Sequence, residues 1–232
     1  MRRFILVALM AVTVAGCDRF PDLSIQVVAN LQPDESDCSI AADQEEIWLA
    51  GIYDLAYQNV VGPRDYVITP KIESYLVDNT LEFQGQQGNI QIDGFDITLL
   101  LPDGTKPELG ADLPNPYRVT TSAVIPANEA PGGVSFGAAV AVGIPASYYS
   151  VLVDIVNTTS FQSIVLEVVA NGETAGGFRQ QSPPFRWPIQ LCSGCLAAVC
   201  DEPAQLLDPV QECPTLTGQD GWQYCAEIRP AQ

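Results

Sequence analysis

Between residues 47 and 191 apolar side chains recur in short runs with a period close to two, broken at intervals by Gly, Pro, Asn and Asp. Eight runs stand out: Ile47 to Tyr57, Tyr66 to Val77, Asn89 to Leu101, Tyr117 to Ile125, Val134 to Ile144, Tyr148 to Asn157, Phe161 to Ala170 and Phe185 to Leu191. All are rich in Val, Ile, Tyr and Thr, which suit a pleated, half-buried surface. Side chains of a strand alternate between its two faces, so each run predicts a strand with one face inward. The pattern is clearest where Ile90 and Ile92, then Phe95, Ile97 and Leu99, fall on one side. Asp93-Gly94 between them predicts a bulge that resets the register. Asp103-Gly104 and Asn171-Gly172 read as hairpin turns. No run shows convincing helical spacing, and 18 prolines and 18 glycines punctuate the chain. The expected fold is all-β, an antiparallel β-sandwich over 47–191.

The flanks read differently. Ile25, Val27 and Ala29 alternate with Gln26, Val28 and Asn30, which predicts a first strand within 18–33. Six acids follow with no base (Asp34, Glu35, Asp37, Asp43, Glu45, Glu46), a solvated surface segment. After residue 191 strand signals fade into a mostly irregular tail, and Cys192, Cys195, Cys200, Cys213 and Cys225 crowd together. With Cys38 they form an even set, which in an exported protein predicts three disulfides. Sequence does not choose among the pairings. Cys38 stands alone ahead of the core strands, however, so its partner is expected in the tail, which it would strap to the body.

The chain opens with Met1, Arg2 and Arg3, then runs uncharged from Phe4 to Ala15 and ends in small residues. This is the pattern of a signal peptide over 1–16, shorter than the roughly 20 apolar residues of a membrane span. Val14-Ala15-Gly16-Cys17 resembles the lipobox of bacterial lipoproteins. The resemblance implies that the Cys17 thiol receives diacylglycerol and becomes the new N-terminus, with two or three acyl chains holding the protein on a membrane. Asp18, directly after it, marks inner-membrane retention in enterobacterial lipoproteins. The combination of lipobox, acidic segment, strands and cysteine-rich tail looks like the envelope lipoproteins of Gram-negative bacteria, some of which carry immunoglobulin-like domains. That likeness implies an immunoglobulin-like sandwich in the cell envelope, on the periplasmic side of either membrane or on the cell surface. The expected organisation is a signal peptide (1–16), a lipidated tether with an acidic segment (17–46), the sandwich (47–191) and the cysteine-rich tail (192–232).

Loss of Arg2 and Arg3 with the signal peptide leaves 8 basic residues against 28 acidic ones, a net charge of −20. Such a chain is repelled by phosphate backbones, so no nucleic-acid partner is expected. Histidine is absent, which removes Ser-His-Asp and Cys-His mechanisms and imidazole zinc sites. Gly133-Val134-Ser135-Phe136-Gly137 matches a nucleophile elbow in spacing only, because Ala138 to Val142 continue as a strand where a helix is required. Cys192-Ser193-Gly194-Cys195 has the spacing of a redox pair, and Cys192, Cys195, Cys200 and Cys213 that of a loose zinc set. The β surroundings and an oxidising compartment favour structural disulfides over both. No cofactor or metal is expected. The acidic run, or Asp93 with Asp96, offers oxygens to calcium without an Asp-x-Asp-x-Asp-Gly loop. Trp187 is expected to pack the junction of sandwich and tail. The functional expectation is a non-enzymatic interaction or structural module that binds an envelope protein or glycan through a sheet face or loop end. A small-ligand or calcium-binding lipoprotein and a carboxylate-based hydrolase, whose paired acids leave no local signature, are the rivals.

Overall fold

The structure, a computed structural model, describes residues 24–34, 36–77, 88–110, 112–128, 133–159, 161–200, 206, 208–210, 213 and 215–228. These are mostly β. In chain order the elements are β1 (Ile25–Leu31), β2 (Ile47–Trp48), β3 (Gly51–Asp54), α1 (Leu55–Val61), β4 (Tyr66–Ile68), β5 (Pro70–Ser74), β6 (Ile90–Leu100) and β7 (Tyr117–Ile125). Then follow β8 (Ser135–Ala138), β9 (Ala141–Ile144), a 3-10 turn (Ala146–Tyr148), α2 (Tyr149–Thr158), β10 (Ser163–Thr174), β11 (Arg179–Gln181), β12 (Phe185–Cys192), β13 (Ala197–Cys200) and β14 (Tyr224–Ile228).

The alternation in the sequence organises the larger sheet, ordered β3-β12-β10-β6-β7 with β11 beside β10. Ile90, Ile92, Phe95, Ile97 and Leu99 of β6 are fully buried, and Gln91 and Asp93 are exposed. The β6–β7 register shifts between Ile92 and Gly94, as the Asp93-Gly94 pair predicts. Glycine is required there because a Cβ on Gly94 would lie 2.4 Å from the Val119 carbonyl oxygen. Pairing is antiparallel except for β3 on β12, and β13 on β14 in the tail. A second sheet, β2-β1-β5-β8, turns Ile25, Val27 and Ile72 into the core shared with Phe95, Ile97, Leu166 and Trp187 of the first. The strand read within 18–33 is thus β1, paired with β5 from Ile25 opposite Ser74.

Three local expectations are corrected. Residues 55–57, read as the end of a strand, begin α1; Asp54 caps that helix, its carboxylate accepting from the amides of Ala56 and Tyr57, and Gly62 ends it at φ 92°. The run from Tyr148 to Asn157 is also helical. Tyr148, Leu152 and Ile155 are buried and spaced i, i+4, i+7, while Asp65 accepts from the amide of Ala146 to start the turn that leads in. Its Val and Ile content masks that spacing, because β-branched residues favour strands. Asn171-Gly172 is no turn; it lies within β10, opposite Gln181 and Gln180 of β11. The hairpin turns instead at residues 175–177, where Thr174 receives from the Gly177 amide and Gly177 sits at φ 82°. The tail also carries two short paired strands, β13 and β14.

Candidate functional site

Cys17, and with it the lipidation site read from the sequence, lies outside the described residues. The six other cysteines fall into three pairs at bonding distance. Cys38 joins Cys213 across 175 residues, Cys200 joins Cys225 across 25, and Cys192 joins Cys195 within its own loop. Cα separations are 5.6, 5.6 and 6.0 Å in that order, within the usual disulfide range. The tail is therefore tied to the segment ahead of β2 and to itself.

Two buried carboxylates hold the tail against the body. The Asp54 side chain caps α1 and also accepts from the amides of Gly194 (2.8 Å) and Leu196 (3.0 Å), so it fixes the loop between Cys192 and β13. The Tyr224 hydroxyl adds a longer bond at 3.4 Å, and beyond burial itself the Asp54 charge helps raise that phenol's pKa. Asp220 lies on the tail turn that docks along β3. Its Oδ1 receives the Tyr66 hydroxyl at 2.6 Å and the Ile52 amide at 3.0 Å, and the Trp187 indole donates to the Tyr66 oxygen at 3.1 Å. Burial pushes the Asp220 carboxyl up to about 7 despite those donors, which favour its ionised form. Burial, then the Asp220 charge, holds the Tyr66 phenol well above the ordinary tyrosine range. Trp187 itself is buried in the main core and reaches Asp220 of the tail through Tyr66. Tyr66 and Asp220 are 154 residues apart, and neither carries a signal that reading along the chain would find.

The outward face of the larger sheet presents a different chemistry. Arg118 on β7 reaches Asp93 (2.7 Å) and Asp96 (3.2 Å) on β6; Asn171 on β10 donates to the far oxygen of Asp96 (3.0 Å); Gln181 on β11 donates to the Asn171 oxygen (3.1 Å). This ladder of guanidinium, carboxylate and amides crosses four strands. Above it lies an open groove of about 590 Å³ lined also by Gly172, Arg179 and Gln180. Arg179 has no ion-pair partner among the described residues, and the neighbouring Phe178 at the hairpin tip is 71% exposed.

The remaining sequence candidates separate. Asp93 and Asp96, read as calcium oxygens, are drawn together by a cation of the chain itself, Arg118. Asp34 and Asp37 fold their side chains back onto their own turn, accepting from Ser36 and from the Ser39 amide. The side-chain bond from Ser36, then its amide, holds the Asp34 carboxyl below the usual range. Ser135, the serine of the elbow-like spacing, opens β8 and donates to the Pro126 carbonyl. Among the described residues no helix is long and apolar enough to cross a membrane.

Fold and site together define a mostly β protein whose cysteine-rich tail is locked to its body by disulfides and buried acids, with a polar groove on the open sheet face. No protein-family model and no curated protein matches the chain.

Proposed function

We propose that this protein is a bacterial cell-envelope lipoprotein, anchored by lipid on Cys17, whose body is an immunoglobulin-like sandwich acting as a non-enzymatic interaction module. Its ligand is a glycan of the envelope, taken in the groove on the outer sheet face. The observation that carries the reading is the ladder from Arg118 through Asp93, Asp96 and Asn171 to Gln181. Sugar hydroxyls both donate and accept, and the ladder offers both within one groove. Its ion pairs are exposed, and exposed pairs contribute only about 0–1 kcal/mol each to stability. An ordered polar network that adds so little to folding is suited to recognition. The anchor rests on the lipobox-like Val14-Ala15-Gly16-Cys17, and the sandwich on two sheets that share one core.

Co-sedimentation of the mature protein with isolated peptidoglycan sacculi tests the ligand. Loss of two neutral hydrogen bonds at about 1 kcal/mol each weakens binding by roughly tenfold or more. The Asn171→Ala/Gln181→Ala double variant is therefore expected to lose at least that much affinity while melting like wild type. Equal binding by the variant, or no binding by wild type while a crosslinker at Gln181 captures a protein in cells, refutes the glycan reading.

A further inference from the structure

The Cys192–Cys195 pair differs from the other two in what it does for the fold. It closes a loop with a sequence separation of 3, against 175 and 25, and so restricts the unfolded chain least. The loop does not depend on it for its shape. The Asp54 carboxylate, itself fully buried, accepts from the Gly194 and Leu196 amides and pins the backbone on both sides of Cys195. Cys192 is held separately, as the last residue of β12 opposite Asp54 on β3.

Access to the two sulfurs is unequal. Of the six paired cysteines Cys195 alone is exposed, and Cys192 is half-buried. A Cβ placed on the intervening Gly194 would meet nothing within 4 Å, so the loop opens to solvent. Both Sγ atoms and an Asp54 oxygen lie within 4.8 Å of one another. The carboxylate does not read as a metal ligand here, because Oδ1 already accepts from Ala56, Tyr57 and Gly194 and Oδ2 from Leu196 and Tyr224.

We propose that Cys192–Cys195 is a thiol–disulfide exchange site, with Cys195 the sulfur attacked by a dithiol, Cys192 the leaving and resolving sulfur, and Asp54 a positioning residue. A thiolate of the donor attacks Cys195 Sγ. The Cys192–Cys195 bond breaks, its electron pair leaves on Cys192 Sγ, and that sulfur takes a proton from solvent. The donor's second thiolate then attacks its own sulfur in the mixed disulfide, and Cys195 leaves and is protonated. Two electrons and two protons have passed from the dithiol to the protein, and the donor is left as a disulfide. The loop keeps its place throughout because Asp54 holds it in both states, so the two thiols stay close enough to re-form the bond.

Graded reduction of the full mature protein with dithiothreitol, followed by alkylation and peptide mass spectrometry, reads the first claim. Cys192 and Cys195 are expected to open at a concentration about tenfold below that needed for the other four, while the protein keeps its folded circular-dichroism spectrum. In single variants Cys192→Ser is expected to capture glutathione from its disulfide at Cys195 at least about tenfold faster than Cys195→Ser does at Cys192, following access. In the Cys192→Ser background Asp54→Asn removes a nearby negative charge, so the pH midpoint of Cys195 alkylation is expected to fall. Rescue by Asp54→Glu separates placement of the charge from general loss of structure. Opening of all three pairs together, reduction only with loss of the fold, equal reactivity of the two sulfurs, or an unmoved pH midpoint overturns the proposal.

Discussion

Asp220 adopts a left-handed backbone conformation, φ 55°, that a non-glycine residue takes at a cost. Its surroundings repay it with two donors on one oxygen. Because burial raises the folded carboxyl to about 7 from an ordinary 3.8, the native state binds this proton more tightly than the unfolded chain. The associated stability is complete below about pH 4 and is lost as pH rises through 7. That difference in proton affinity corresponds to about 4 kcal/mol at most. The melting temperature is thus expected to rise on acidification from pH 8 to pH 5. Asp34 and Asp103, whose carboxyls are lowered by bonds from Ser36 and Thr105, act in the opposite sense and lose their contribution as pH falls further. Asp220→Asn keeps an acceptor for Tyr66 and Ile52 and removes the titration. Thermal melts across pH 5–8 should show a slope in wild type that flattens in the variant; an equal slope in both assigns the effect elsewhere. Nothing along the chain announces this group, since an isolated Asp among tail residues looks like surface charge until Tyr66 is folded over it.

At the scale of elements, β6 shows how far alternation reaches. Ile90 to Leu99 could be assigned to one face, bulge included, because each inward position carries a large apolar side chain. α2 shows where it stops: with Tyr149, Val151, Val153 and Val156 packed against the core beside its buried stripe, apolar residues occupy so much of the helix that spacing of two and of 3.6 both fit. The acidic ladder of the groove is intermediate. Asp93 and Asp96 were visible as a pair, yet Arg118, Asn171 and Gln181 join them only through pairing of β7, β10 and β11 with β6 and one another. The disulfides give a graded expectation. Loop-closure entropy assigns about 5 kcal/mol to Cys38–Cys213, about 3.5 to Cys200–Cys225 and about 2 to Cys192–Cys195. Paired Cys→Ala variants unfolded in urea should lose stability in that order. A Cys38→Ala/Cys213→Ala variant as stable as wild type would mean that hydrogen bonds such as Asp54 to Gly218 and Asp220 to Ile52 hold the tail unaided.

Over the whole molecule, charge and attachment act together. Cleaved as proposed, the chain carries 8 basic and 28 acidic residues, a net −20, and stands away from anionic headgroups, so in that proposal it is the lipid that holds it to a membrane. Cys17→Ser is expected to shift the protein from the membrane fraction to the soluble one, or to leave it with its signal uncleaved. A variant that is processed and still partitions into detergent like wild type removes the anchor from the proposal. The Cys38–Cys213 bond then has a mechanical meaning. If the chain is anchored at Cys17 as proposed, a pull from that end loads β1 before it reaches Cys38, so β1 can be peeled from β5. Unravelling halts at Cys38, where the load passes covalently into the tail. The 21 residues from Cys17 to Cys38 set the slack at about 70–75 Å of fully extended chain. Beyond that length the bond acts as a stop, and under the proposed anchor the protein's reach from the membrane is fixed by where that cysteine stands.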